Sequence, residues 1–322
     1  MLRCRDPEYG FLTYKCPQCG KIETVPLTCK SRICTSCGKK HADEWAEKLA
    51  STLYSVPHRH MVFTIPEQLR PLFKANHSLL KVLMDAVSRT LKRTIRDRRK
   101  ATPGLIAVLH PYGKVINLNP HVHALATEGG LTKRGEWVSV KYIEYRKLRK
   151  IYQFELLTAI KKHTPKTPQN SRFIDNLFKN HPEGFYVRAK RKVPQSERKT
   201  VARYIGRYIR HPAIAESRIT DFNPQTNTVT FWYRNGEEES RFMEKVVMPA
   251  MEFIDRLVRL IPDKNLKLVR YYGLYSRRTM GKLRKILTPL SREIPETKPR
   301  KGLVKCPECG TPMKLIGVTR PS

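Results

Sequence analysis

Hydrophobic spacing divides the middle of the chain into alternating strands and helices. The apolar run at residues 60–65 predicts a strand that Pro66 ends, and apolar side chains three and four apart from Leu80 to Ile95 predict a long helix. Further strand-like segments lie at residues 105–110, 122–126 and 184–189. This succession favours an α+β fold whose sheet is mostly antiparallel.

The pattern continues on either side of this region. A helix is expected at about residues 41–53, and Ser196 has the N-cap preference expected at the start of a helix that Pro212 ends. The remaining predicted elements are strands at residues 219–222, 229–234 and 238–242, with Asn235-Gly236 as a hairpin turn, and a helix at residues 249–261. The sheet is therefore expected to be flanked by helices.

Cysteines are concentrated near the N-terminus, where six of the eight lie in the first 45 residues. The N-terminus has no apolar signal-peptide region, so these cysteines are better explained as metal ligands than as disulfides. The motifs Cys16-x2-Cys19 and Cys34-x2-Cys37 have the spacing of a four-cysteine zinc site, and a glycine directly follows each motif. Four thiolates leave zinc no open coordination position, which indicates a structural site.

Four cysteines remain outside that assignment: Cys4, Cys29, Cys306 and Cys309. Cys29 is also an alternative fourth ligand for the first site, and His41 is a weaker one. We hypothesise that the four remaining cysteines form a second zinc site that bridges the two ends of the chain. The alternative is that Cys306-x2-Cys309 is half of a zinc ribbon that is truncated or completed by a partner.

The charge of the chain indicates a polyanionic partner. There are 63 Lys and Arg residues against 28 Asp and Glu, a formal net charge of +35. Basic side chains cluster at residues 89–100, and Arg203, Arg207 and Arg210 are suited to contact DNA phosphates. We expect no membrane association and a cytoplasmic location, because no apolar run is long enough to span a bilayer and neither end carries a lipidation motif.

A pair of histidines predicts a catalytic metal site. His121 and His123 flank Val122 in a predicted strand, and alternate side chains of a strand point to the same face. Both imidazoles could therefore bind one divalent ion. The preceding predicted strand ends at His110, which we expect to be the third ligand, with His60 as the alternative.

Two tyrosines on a predicted helix are candidate nucleophiles. Tyr204 and Tyr208 are four residues apart and share one helix face. A metal ion that polarises a phosphodiester, beside two phenolic nucleophiles, indicates an enzyme that cuts and rejoins DNA strands. Tyr271 and Tyr275 have the same spacing, and the spacing does not choose between the two pairs.

The motifs follow one another in a recognisable order. The segments CKSRICTSCG, HMVFTIPEQLRPLF, NLNPHVHALATEGGL, YIGRYIRHPAIAESRI and RYYGLYSRR resemble those of the insertion-sequence 91 family, the two-tyrosine HUH transposases that move by a rolling-circle-like route. The resemblance covers about residues 16–278. It implies an N-terminal zinc-binding domain and an HUH nuclease domain with a central antiparallel sheet. It also implies that His121 and His123 are metal ligands and that Tyr204 and Tyr208 are the nucleophiles.

These observations predict three segments and one function. Residues 1–50 are expected to form the zinc-binding domain, residues 51–265 the catalytic domain, and residues 266–322 a basic C-terminal segment with a cysteine knuckle. The expected function is a transposase that cuts and rejoins single-stranded DNA at element ends through a 5′-phosphotyrosine intermediate, with Mg²⁺ or Mn²⁺ at the catalytic site and structural Zn²⁺. The alternatives are an HUH replication initiator or relaxase, and a non-enzymatic zinc-ribbon protein that binds nucleic acid.

Overall fold

A computed structural model of the protein describes residues 4–31, 34–140, 142–193, 200, 214, 216–235, 242–279 and 304–320. The helices are α1 (Thr35–Thr52), α2 (Arg70–Ala75), α3 (Ser78–Arg99), α4 (Tyr145–His163), α5 (Pro168–Asn180) and α6 (Ala250–Val258). The first strands are β1 (Phe11–Lys15), β2 (Ile22–Pro26), β3 (His58–Thr64), β4 (Gly104–Tyr112), β5 (Leu118–Thr127), β6 (Gly129–Leu131) and β7 (Trp137–Ser139). The later strands are β8 (Val187–Val193), β9 (Ile219–Asn223), β10 (Thr228–Asn235), β11 (Phe242–Pro249), β12 (Val269–Gly273) and β13 (Lys314–Thr319).

The central sheet has five strands in the order β12-β4-β5-β3-β8. Every neighbouring pair in it is antiparallel. The predicted α+β fold with a central antiparallel sheet is therefore confirmed. The predicted strands at residues 60–65, 105–110 and 122–126 correspond to β3, β4 and β5. Their frequent apolar side chains make buried strands recognisable from the sequence.

The two faces of this sheet are covered by different elements. One face carries residues such as Phe63, Leu109 and Val122, which are buried in a large cluster together with α3 and α4. The opposite face carries Val108 and Leu125, which pack against the last turn of α1 in a smaller cluster. Because side chains alternate along a strand, the histidines of β3, β4 and β5 fall on the second face.

A second antiparallel sheet, β11-β10-β9, packs against α6. Its core includes Phe231 and Phe253, and it also buries Ile116 from the loop between β4 and β5. The Arg256 guanidinium donates a hydrogen bond to the Val115 carbonyl at 3.0 Å. These contacts fix the hairpin that joins the two strands carrying the predicted metal ligands.

Several predicted boundaries differ from those of the structure. The strand predicted at residues 184–189 lies at Val187–Val193, and of the strand predicted at residues 238–242 only Phe242, the first residue of β11, is described. Residues 236–241 lie outside the described residues, as does most of the helix predicted between Ser196 and Pro212. Helices α4 and α5 were not identified from the sequence.

The small N-terminal sheet contains a strand from the other end of the chain. Its order is β13-β1-β2, with β13 antiparallel to β1. Strand β12 lies in the central sheet. The basic segment predicted at residues 266–322 therefore contributes one strand to the central sheet and one to the N-terminal sheet. Within the described residues, no helix has the length and apolar character needed to cross a membrane.

Candidate metal centres

Three of the predicted metal ligands lie together on the second face of the central sheet. His110 on β4 is directly opposite His121 on β5, and His123 follows two residues later, opposite Val108. Each of the three histidines offers one ring nitrogen, and these nitrogens lie within 4.8 Å of one another. The sheet register thus brings the predicted third ligand to the predicted pair.

Hydrogen bonding fixes the orientation of His121. Its Nδ1 is 2.7 Å from the Asn119 carbonyl, so Nδ1 carries the proton and Nε2 is left to bind a metal ion. Burial lowers the pKa of His121, and the hydrogen bond to the Asn119 backbone only partly opposes this. The imidazole is therefore neutral at pH 7, which is the form that binds metals.

His60, the predicted alternative ligand, lies behind His123 rather than among the three ligands. Its Nε2 is 3.0 Å from His123 Nδ1, and the two rings are stacked with their centroids 5.2 Å apart. In the tautomer with the proton on His123 Nδ1, this contact is a hydrogen bond that orients the His123 ring and leaves its Nε2 unprotonated for a metal ion. Nothing in the sequence pattern indicates that His60 orients the His123 ring.

The rival tyrosine pair is not at the histidine site. Tyr275 is buried, its hydroxyl is 2.6 Å from His58 Nε2, and it accepts a hydrogen bond from the Tyr54 backbone N–H at 3.2 Å. Tyr271 pairs with Ile106 on β4, four residues from His110. At about 3.3 Å per residue this is roughly 13 Å along the strand.

Tyr204 and Tyr208 lie outside the described residues, as do Arg203, Arg207 and Arg210. The first described residue after them is Ile214, six positions beyond Tyr208. Ile214 is buried in the same cluster as Ile116, from the hairpin loop between the histidine strands. Ile214 thus lies beside the histidine hairpin.

The eight cysteines form two groups of four. Cys4, Cys29, Cys34 and Cys37 make one group, and Cys16, Cys19, Cys306 and Cys309 make the other; within each group the sulfurs lie within 4.8 Å of one another. This differs from the predicted grouping, in which Cys16 and Cys19 shared a zinc ion with Cys34 and Cys37, and Cys4 and Cys29 with Cys306 and Cys309.

The β1–β2 hairpin explains the difference. Cys16 and Cys19 lie at its tip, since the residues on either side of them, Lys15 and Ile22, are paired. Cys34 follows the full length of β2, so it lies at the opposite end of the hairpin. A five-residue strand is about 17 Å long, too far for both cysteine pairs to bind one ion.

Two family models match the chain. The model described as a transposase zinc-binding domain matches residues 1–65, and the model described as a putative transposase matches residues 104–282, more than half of the 322 residues. The chain belongs to the insertion-sequence 91 family of transposases. The predicted family is thereby confirmed, and with it a DNA-processing enzyme with DNA as its partner and a cysteine-rich domain suited to structural Zn²⁺.

This transposase is similar to two curated proteins along most of its length. It is 28% identical to the transposase for insertion sequence element IS801 of Pseudomonas savastanoi pv. phaseolicola, over 93% of this chain and 75% of that protein. It is 27% identical to the putative transposase y4qJ of Sinorhizobium fredii (strain NBRC 101917 / NGR234), over 85% of this chain and 72% of that protein. No solved structure matches the transposase.

Proposed function

We propose that this transposase cuts and rejoins single-stranded DNA at the ends of its element through a 5′-phosphotyrosine intermediate. The observation that carries the proposal is the grouping of His110, His121 and His123 on one sheet face, with ligand nitrogens within 4.8 Å of one another. Three protein ligands that leave coordination positions open are typical of a catalytic metal site.

The three histidines would hold Mn²⁺ or Mg²⁺. When bound, such an ion polarises the scissile phosphate and orients it for in-line attack. An all-nitrogen ligand set suits Mn²⁺ better than Mg²⁺, because Mg²⁺ strongly prefers oxygen ligands and nitrogen-containing sites bind the first-row divalent ions. The remaining coordination positions suit the oxygen atoms of phosphate and water.

Tyr204 and Tyr208 are the proposed nucleophiles. The hydroxyl oxygen of one tyrosine bonds to the phosphorus, the bond to the 3′ oxygen breaks, and that oxygen takes up a proton as the phenol loses one. No water is consumed, so the phosphotyrosine bond can later be attacked by a 3′-hydroxyl to rejoin a strand. The second tyrosine can act at another site while the first is still linked to DNA.

Two features of the described residues support this choice of tyrosines. Ile214, six positions after Tyr208 in the sequence, is buried beside the histidine hairpin. By contrast, the hydroxyl of Tyr275 is buried in a hydrogen-bonded cluster with His58 and Tyr54. The Tyr275 hydroxyl therefore holds the segment that follows α1 against the start of β3.

The register of the sheet also supports a DNA path across the histidine face. Arg188 on β8 is the cross-strand neighbour of Val62, and Val62 is the neighbour of His123. Arg188 therefore shares the face of His123, at roughly 10 Å across two strand spacings. A guanidinium at this distance is suited to bind a phosphate adjacent to the one that is cut.

The proposal is tested by covalent capture of a single-stranded oligonucleotide from the element end. We expect the parent protein with Mn²⁺ to form a protein–DNA adduct that survives denaturing electrophoresis, and the Tyr204→Phe/Tyr208→Phe variant to form none. Tyr271→Phe is the matched control and should form the adduct as the parent does. An adduct that persists in the double variant contradicts the assignment.

The same assay separates the alternatives. A zinc-ribbon protein without enzymatic activity would bind the oligonucleotide but form no adduct under any metal condition. A replication initiator or relaxase would form the adduct on a plasmid origin and not on element ends. His121→Ala/His123→Ala should abolish the adduct in a transposase whose chemistry depends on the histidine site.

A further inference from the structure

The two ends of the chain meet in one small sheet. Strand β13 pairs with β1 along its whole length, from Phe11 opposite Thr319 to Lys15 opposite Lys314. The described C-terminal segment, residues 304–320, lies outside both matched family regions, which end at residues 65 and 282. It is nevertheless an integral part of the N-terminal fold.

Two cysteine knuckles face each other at one end of this sheet, where β1 ends and β13 begins, and they have the same backbone hydrogen bonds. In the first, the Cys16 N–H donates to the Lys21 carbonyl at 2.8 Å and the Gly20 N–H donates to the Cys16 carbonyl at 3.1 Å. In the second, the matching bonds run from Cys306 to Thr311 at 2.9 Å and from Gly310 to Cys306 at 2.9 Å.

The glycines in the two knuckles also match. Gly20 has φ +75° and Gly310 has φ +72°, in the left-handed region that favours glycine. Each turn therefore directs its two cysteine side chains to one side of the backbone. Two such turns facing each other present four sulfurs to a common centre, as in a zinc ribbon.

The sulfur separations fit a tetrahedral ion. Cys16 Sγ is 3.4 Å from Cys309 Sγ, and Cys19 Sγ is 3.4 Å from Cys306 Sγ. Four zinc–sulfur bonds of about 2.3 Å in a tetrahedron place the sulfurs roughly 3.8 Å apart. A disulfide would require about 2.05 Å. Cys16 and Cys306 are buried against Met313, so two of the four thiols are already shielded from water.

We propose that Cys16, Cys19, Cys306 and Cys309 bind a second structural zinc ion, which closes the N-terminal domain with the C-terminal segment. Four thiolates leave zinc no open position, so this ion has a folding role and not a chemical one. The exposed ion pair between Lys21 and Glu308, at 3.1 Å, adds little by itself. The Thr311 hydroxyl also donates a hydrogen bond to Gln18 across the knuckles, and the metal would add four bonds to these contacts.

Zinc content per chain tests the proposal. The measurement is made in a His121→Ala/His123→Ala background, so that only the cysteines contribute zinc. We expect about two zinc ions per chain in this background and one in the Cys306→Ser/Cys309→Ser and Cys34→Ser/Cys37→Ser variants. Lys305→Ser, a control substitution within the C-terminal knuckle segment, should retain both. One ion in the background protein, or two in the Cys306→Ser/Cys309→Ser variant, overturns the proposal.

A second measurement does not depend on a variant that folds. X-ray absorption at the zinc edge of the background protein should show sulfur ligands only, at about 2.3 Å. Nitrogen or oxygen ligands on any part of the bound zinc would contradict a pair of four-cysteine sites. The proposal does not rest on the proposed function, since neither measurement involves DNA.

Discussion

The histidines on the second face of the central sheet have different roles, and their hydrogen bonds distinguish these roles. His121 is oriented by the Asn119 carbonyl, and His123 is oriented by His60. A metal-binding imidazole is effective only when its other nitrogen is held, since this fixes both the tautomer and the plane of the ring. His60 is therefore a positioning residue for the proposed metal site, although it offers no ligand to the group of three.

His60 gives a prediction at this scale. We expect His60→Ala to weaken Mn²⁺ binding by about 10–100-fold, because the His123 ring loses the partner that fixes its tautomer. Isothermal titration of Mn²⁺ into the purified protein measures the change, and His163→Ala at the end of α4 is the control. His60→Asn or His60→Gln, which retain a hydrogen-bond acceptor, should recover part of the affinity. Unchanged binding in His60→Ala would remove the proposed role.

At the scale of elements, the sequence predicts best where side chains alternate between two buried faces. Strands β4 and β5 are buried on both faces, so their apolar residues are dense and the histidines stand out within them. Strand β12 was not predicted, because Val269–Gly273 contains an arginine and two tyrosines in five positions. It forms because β4 offers an edge to pair with, and a partner far along the chain leaves no local pattern.

The contact of Tyr275, just after β12, with Tyr54 and His58 supplies the next prediction. Tyr275→Phe removes a buried hydroxyl that is 2.6 Å from His58 Nε2 and accepts from the Tyr54 N–H. We expect the free energy of unfolding to fall by about 1–3 kcal/mol, as measured by denaturant titration, while adduct formation by the folded protein persists. Tyr271→Phe, at an exposed side chain, should change the stability by much less.

The opposite result for Tyr275→Phe is equally informative. Loss of the adduct with no loss of stability would transfer the nucleophile role from Tyr204 and Tyr208 to the C-terminal pair.

At the scale of the whole molecule, long-range contacts determine which cysteine pairs share a metal ion, and the sequence does not show this. Each Cys-x2-Cys pair was predictable from its spacing, but its partner was not. Cys16 and Cys309 are 293 positions apart, and only the pairing of β1 with β13 brings them together. The histidine group was easier to predict from the sequence, because a single hairpin joins His110 to His121.

The charge of the whole molecule yields a last prediction, which concerns the path of the DNA. A net charge of +35 favours non-specific binding to any polyanion, so affinity alone cannot identify the arginines that contact the strand. The salt dependence of binding can, because each phosphate of single-stranded DNA that a basic side chain neutralises contributes about 0.7 to the slope of log K against log salt. We expect the slope to become shallower by about 2 when Arg203, Arg207 and Arg210 are all changed to Ser.

A matched control separates direct phosphate binding from total charge. Lys161, Lys162 and Lys166 are exposed at and just beyond the end of α4, which packs on the sheet face opposite the histidines. Changing these three lysines to Ser removes the same three charges and should leave the slope nearly unchanged, as measured by fluorescence anisotropy over a range of salt concentrations. Equal slopes for the two triple variants would mean that the arginines near the tyrosines act only through net charge. The strand would then not run past Tyr204 and Tyr208, and the proposed nucleophiles would lose their access to the scissile phosphate.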